Sequence, residues 1–331
     1  MRQSININLW RGWLDRPSMA KNVCAWPLRF LGLASALVLL ATACGGPANT
    51  ESRGGVHIIG RLAVVTTNYP LQYFAQRIGG DAAEVVNLTP PGVEAHDFEP
   101  TPADIRAIGQ ADMVLYNGGE FDPWIDRALS SKDKTQIVVK ALKASEGKTS
   151  YSAANPGDPH IWLDPLLAVE EVKLARDGMI RASPARKADA FKANADALIS
   201  ELTALDQRFQ QSLATCRQRA FVTSHEAFGH FAARYGLQQV ALSGVSPDAE
   251  PSPADMARIA QQLRALGTKY ILTEPILSRQ LAETLAKEIG AELLPFHPLE
   301  SLTPDEAQRG ETYFTIMDTN LQNLRKGLEC G

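Results

Sequence analysis

The sequence has little cysteine: four residues in a chain of 331, too few for a fold built on disulfides. It has no excess of positive charge. The formal net charge is -4, which removes the field that nonspecific nucleic-acid binding needs, so no nucleic-acid partner is expected. It has a single long apolar run, close to the N-terminus, which excludes a protein that crosses a membrane many times. It has no G-x-G-x-x-G loop, no P-loop and no G-x-S-x-G elbow, the usual marks of dinucleotide binding, phosphate binding and serine hydrolysis. What it does have is an ordinary globular composition, 45% hydrophobic and 21% charged, long enough for two domains.

The apolar run lies within LRFLGLASALVLLATAC, ending at Cys44. Its centre is too short to span a bilayer. Lys21 and Arg29 precede it and Ala41, Thr42 and Ala43 follow, the layout of a secretory signal. Cys44 stands directly after the small residues and before Gly45-Gly46-Pro47, as in a bacterial lipobox, although Ala41 occupies the place where Leu is usual. We therefore expect a signal peptide over 1–43, with translation starting at Met19, and lipidation at Cys44. Cys24 leaves with the leader. Two cysteines remain for an oxidising compartment, Cys216 and Cys330, and a bridge between them would tie down the C-terminus; the alternative is two free thiols.

Residues 44–60 are polar and Gly-rich and read as a tether, with His57 solvated on it. Beyond it, β-rich runs at 62–67, 84–88, 113–117 and 136–139 alternate with helical patterns at 69–78, 102–110 and 123–129. The same alternation returns later, with strands at 220–223, 239–242, 270–273 and 292–294 and helices at 228–235, 253–266 and 278–289. Such alternation implies an α/β fold of parallel sheets flanked by helices. Between the two sets, Phe191, Ala195, Leu198, Leu202, Leu205 and Phe209 recur at helical spacing. With Ser183-Pro184 as its start, they predict one rigid backbone helix over 183–213, joining lobes at 61–182 and 214–331. A local echo, EPTPADIRAI and EPSPADMARI, suggests lobes of similar build that offer equivalent loops to a shared cleft.

Three of the six histidines stand in turn-rich loops or at strand ends, where such folds gather ligand groups: His96, His160 and His225. Each alone fits a hydrogen-bonded structural histidine equally well. Together they form a candidate metal site, with Glu300, just past the last strand, as the fourth donor. Three imidazoles and a carboxylate suit Zn2+. His225 and His230 are five residues apart, about 140° around a helix, so SHEAFGH is not a metalloprotease motif. His230 is expected to be a packed residue and His297 to point elsewhere. Asp97, Asp158 and Glu226 are candidates to orient the ligand rings, and Trp162, Trp124 and Phe98 to shield them from water.

The segments PPGVEAHDFEPTPADI, DPHIWLDP, FVTSHEAFGHFAARYGL, SPDAEPSPADM and TEPILSRQLAETLAKEIGAELLPFHPLESLTPDE, with YFTIMDTNL, resemble the cluster A-I solute-binding proteins of ABC-type metal transporters. The likeness covers residues 61–328 and is strongest to the zinc-uptake branch (ZnuA, AdcA and TroA-like). It implies two α/β lobes on a long backbone helix, metal between them, and ligands at His96, His160, His225 and Glu300. It also implies an extracytoplasmic, lipid-anchored monomer that is not an enzyme and that delivers Zn2+ to a membrane permease with its ATPase. The manganese branch carries a carboxylate where His225 stands and typically Asp where Glu300 stands. The stretch KASEGKTSYSAANPGD has no histidine, so the His-rich loop of many zinc members is absent. The alternatives are a manganese or iron carrier of the same family, a zinc hydrolase, and a metal-binding adhesin.

Overall fold

Among the described residues, eight short strands, each four or five residues long, pair entirely in parallel into two separate four-stranded sheets. The computed structural model describes residues 60–130, 135–183, 187–247 and 252–331. The leader, Cys44, the tether and His57 lie outside the described residues. The described residues belong to one compact unit. None of their helices is long and apolar enough to cross a membrane.

The first sheet contains β1 (Leu62–Thr66), β2 (Ala83–Asn87), β3 (Met113–Tyr116) and β4 (Ile137–Lys140), in the order β2-β1-β3-β4. The second contains β5 (Ala220–Thr223), β6 (Gln238–Ala241), β7 (Tyr270–Thr273) and β8 (Glu292–Pro295), in the order β6-β5-β7-β8. The two orders are the same, first-born strand second from the edge, so the halves repeat one topology. The central strands are buried on both faces, as parallel sheets require: Val64, Val65, Met113, Val114 and Leu115 in one, Val222, Ile271 and Leu272 in the other.

The echoed decapeptides occupy equivalent places. The first supplies α2 (Pro102–Gln110), capped by Thr101 with Asp104 in a capping box, and leads into β3. The second supplies α8 (Pro253–Ala265), capped by Ser252, and leads into β7. Other helices that cover the sheets include α1 (Tyr69–Gly79), α3 (Ile125–Leu129), α7 (Gly229–Arg234) and α9 (Gln280–Ile289).

The central helix α6 runs from Ala188 to Leu213, 26 residues, about 39 Å at ~1.5 Å per residue. Phe191, Ala195, Leu198, Leu202, Leu205 and Phe209 all lie on its buried face. Asn194 Nδ2 donates to Ile78 O at the end of α1 (2.9 Å), and Arg208 pairs with Asp318 (2.9 Å) on α11 (Tyr313–Gly327), so the helix contacts both halves. It does not begin at Ser183. That residue instead ends α5 (Pro165–Ala182), a helix that the hydrophobic spacing does not reveal. Two shorter helices, α4 (Ser150–Ala154) and α10 (Pro304–Arg309), complete the set among the described residues.

Cys216 and Cys330 form a disulfide across 114 residues. Gln218 N donates to Leu328 O (3.0 Å) beside it, so the C-terminus is held by both a covalent link and the backbone.

Candidate metal centre

Four loops deliver the site, three of them directly from the carboxyl ends of parallel strands, the edge at which open α/β sheets collect ligands. His96 lies between β2 and α2. The turn before it needs Gly92, whose φ of 85° is costly for any other residue and whose N–H donates to Leu302 O (2.7 Å) in the other half. His225 follows β5 by two residues and Glu300 follows β8 by five. His160 closes the loop between α4 and the 3-10 turn Ile161–Leu163.

Leu299, next to Glu300, is fully buried at φ 67°, a left-handed conformation costing of order 1 kcal/mol in a leucine. His297 holds it there. Its Nδ1 accepts from Leu299 N (2.8 Å), so its Nε2 carries the proton and donates to Glu306 Oε2 (3.2 Å). Asn320 closes the loop from the other side, accepting from His297 N and donating to His297 O, both at 2.8 Å. His297 therefore aims Glu300 and does not join it.

The ring Nε2 atoms of His96, His160 and His225 and the Oε1 of Glu300 converge. His160 Nε2 lies 3.3 Å from that of His96 and 3.4 Å from that of His225. Glu300 Oε1 lies 3.2 Å from His160, 3.2 Å from His225 and 3.5 Å from His96. Donors ~2.0–2.1 Å from a tetrahedral zinc stand about 3.3–3.4 Å from one another, so five of the six edges fit that solid. The sixth is bounded, since all four atoms lie within 4.8 Å of one another. Glu300 Oε1 is buried yet accepts no well-oriented hydrogen bond. The four atoms face a common point, not one another.

Two carboxylates stand behind the rings. His160 Nδ1 meets Asp158 Oδ1 at 2.9 Å, and His225 Nδ1 meets Glu274 Oε1 at 2.7 Å. Each carboxylate also accepts from the backbone N–H of the histidine it serves (3.1 Å in both cases). This fixes Nδ1–H as the donor and leaves Nε2 its lone pair for a cation. Tyr151 OH braces Asp158 Oδ2 (3.0 Å).

The electrostatics follow. Burial opposes charge on His160, but Asp158 and Glu300 outweigh it and raise its pKa above the ordinary histidine value. Burial also opposes charge on His225, yet Glu274 and Glu300 raise its pKa further. Burial would lift Glu300, but the three imidazoles hold its pKa well below the usual carboxylate range. Glu94, close to Glu300, is pushed up to about 8 by burial and by that neighbouring carboxylate.

Of the acids adjoining the histidines in sequence, Asp158 backs a ring. Glu226 and Asp97 are exposed. The acid behind His225 is Glu274, 49 residues further on; its one sequence signal is a carboxylate directly after the buried strand YILT. Trp162 packs on His160 (5.4 Å) and donates from Nε1 to Pro298 O (2.7 Å). The ring against His96 is Phe121 (4.8 Å), whereas Phe98 and Trp124 pack on each other in an adjoining apolar cluster. His230 is buried outside the cluster, between Ser152 Oγ (3.4 Å from Nδ1) and Asp158 O (3.2 Å from Nε2).

Residues 64–327 match the family model described as zinc-uptake complex component A, periplasmic. The zinc-binding lipoprotein AdcA of Streptococcus pneumoniae is 35% identical over 309 residues, covering 89% of this chain; the chain spans 60% of that relative's length. The high-affinity zinc uptake system protein ZnuA of Bacillus subtilis is 35% identical over 308 residues, covering 89% of this chain and 95% of the relative. Among solved structures, the Zn(II)-bound ZnuA-like domain of the pneumococcal AdcA superposes with a TM-score of 0.71 at 36% identity, covering 82% of this chain and all of that domain.

Proposed function

This chain belongs to the periplasmic zinc-uptake complex component A family, and on that premise we propose that it is the extracytoplasmic Zn2+-binding subunit of an ABC-type importer. Its cargo is held by His96, His160, His225 and Glu300, between lobes formed by residues 61–182 and 214–331 with 183–213 between them. It is tethered through lipidated Cys44, acts as a monomer, and passes zinc to a membrane permease that an ATPase drives. The observation that carries this reading is the set of five donor–donor distances between 3.2 and 3.5 Å around an unsatisfied carboxylate oxygen.

The chemistry of the donors supports zinc over manganese or iron: three imidazole nitrogens and one oxygen are softer than the oxygen-rich sets that hard cations prefer. It also speaks for carriage over hydrolysis. A catalytic zinc keeps a coordination position open for water, and here four protein atoms meet. The name of one relative that this chain spans to 95%, a zinc uptake system protein, points to transport over adhesion. Elemental analysis of the full chain purified without chelator tests the reading. About one zinc per chain is expected; stoichiometric manganese or iron without zinc overturns it.

A further inference from the structure

A recess opens beside the candidate metal centre, lined from one half by Val93, Glu94 and Ala95 and from the other by residues 274–277, 297–298 and 300–301. Its walls are largely apolar, with Ile276, Leu277 and Pro298 among them. It leaves room for about one water molecule. A fully hydrated dication does not fit through such a space. An ion that entered through it would exchange its waters for protein oxygens on the way.

Three carboxylates line the recess, Glu94, Glu274 and Glu300. Glu274 is taken up by His225 (2.7 Å), and Glu300 is within 3.2–3.5 Å of all three imidazoles. Glu94 is the third. It is half-buried, its Oε2 accepts from His96 N (2.9 Å), and it lies beside Glu300, whose buried Oε1 lacks a hydrogen bond and lines the same recess. It is the acid of this recess committed neither to orienting a ligand ring nor to the converging set.

We propose that Glu94 is a transfer ligand: its carboxylate takes the incoming divalent cation as the ion sheds water in the recess and hands it to Glu300 and the three histidines, and it receives the ion on release. This rests on the zinc-binding reading above. A residue that stabilises the passage and not the end state alters both rates and leaves their ratio alone.

The test uses the full chain, stripped of metal, with Zn2+ alone as the probe. Uptake is followed by stopped-flow tryptophan fluorescence or by competition with a fluorescent chelator, and release by excess chelator. For Glu94→Gln, uptake and release should each slow by about tenfold, the effect on a barrier of losing ~1.4 kcal/mol of stabilisation. The equilibrium Kd and the metal-free melting temperature should stay close to wild type. Glu94→Asp, which keeps a carboxyl group that can ligate the ion, should recover most of both rates. Unchanged rates in Glu94→Gln overturn the proposal. So does a weakened Kd with faster release, which would make Glu94 a resident ligand. A wild-type chain that takes up no zinc overturns the zinc reading itself, a separate outcome.

Discussion

Glu274 Oε1 sits 2.7 Å from His225 Nδ1 and also accepts from the backbone N–H of His225, although 49 residues separate the two. One carboxylate oxygen thus sets both the tautomer and the orientation of a candidate ligand ring, from the end of the neighbouring strand β7. Glu274→Gln keeps the shape and removes the charge. Zinc affinity should fall by about 10–100-fold, the usual cost of losing such a partner. Chelator competition on purified protein measures it; an unchanged Kd would show that Glu274 leaves the ring indifferent. Asp158→Asn should act similarly through His160 (2.9 Å).

Zinc binding and metal-free stability should respond to pH in opposite directions. The pKa values of His160 and His225 are raised in the folded protein. Their contribution to metal-free stability is therefore full below the unfolded value of about 6.5 and is lost as pH rises through the folded values. Glu94, raised to about 8, adds loss in the same direction as it ionises beside Glu300. Glu300, held low, contributes above its unfolded value and fails only as pH falls through its depressed one. Zinc needs the imidazoles neutral, so its affinity grows over the range in which metal-free stability declines. The gap in melting temperature between zinc-loaded and metal-free protein should widen from about pH 6 to 8. A constant gap would contradict this assignment of protons.

Removing the Cys216–Cys330 bridge should destabilise the fold without removing a ligand. A closed loop of 114 residues is worth about 4–5 kcal/mol in the chain-entropy model, and often less in practice. The paired Cys216→Ser, Cys330→Ser variant should unfold at lower denaturant and still bind zinc. Alkylation of the unreduced wild-type chain should find neither thiol. Two reactive thiols would refute the bridge.

The candidate ligands should be unequal, with His225 governing metal choice. His225→Glu exchanges a nitrogen donor for oxygen, giving two imidazoles and two carboxylates. Zinc affinity should drop while manganese affinity rises relative to it. Glu300→Ala should cost less than His96→Ala or His160→Ala, because water can replace an oxygen donor. Parallel titrations with both metals check the order; zinc held as tightly by His225→Glu would break it.

The alternation of strands and helices was legible in the sequence because its punctuation is local: a Pro-led helix start at 102 or 253, then a short β-branched run. Helix α5 was not. It buries Leu167, Val169, Glu171, Val172 and Ala175 on several sides, so it has no one-sided stripe, and its start at Asp164-Pro165 lies in what reads as a loop. Three of the four converging residues were legible as loop residues after strands, and His160 as part of a Pro/Gly/Asp-rich loop. Their supports were not: Glu274, Glu94 and Phe121 reach the site from loops whose facing is set by the packing of the two halves. Asp158 was visible only because its turn keeps it two residues from the ring it serves.

The central claim is that three imidazoles and one carboxylate form one tetrahedral site for zinc. It is tested most directly by calorimetric titration of the chelator-stripped chain with Zn2+ and with Mn2+, with His230→Ala and His160→Ala alongside. The account predicts one zinc per chain, manganese bound more weakly, His230→Ala close to wild type, and His160→Ala severely impaired. Manganese bound in preference to zinc, or zinc lost in His230→Ala and retained in His160→Ala, would contradict it.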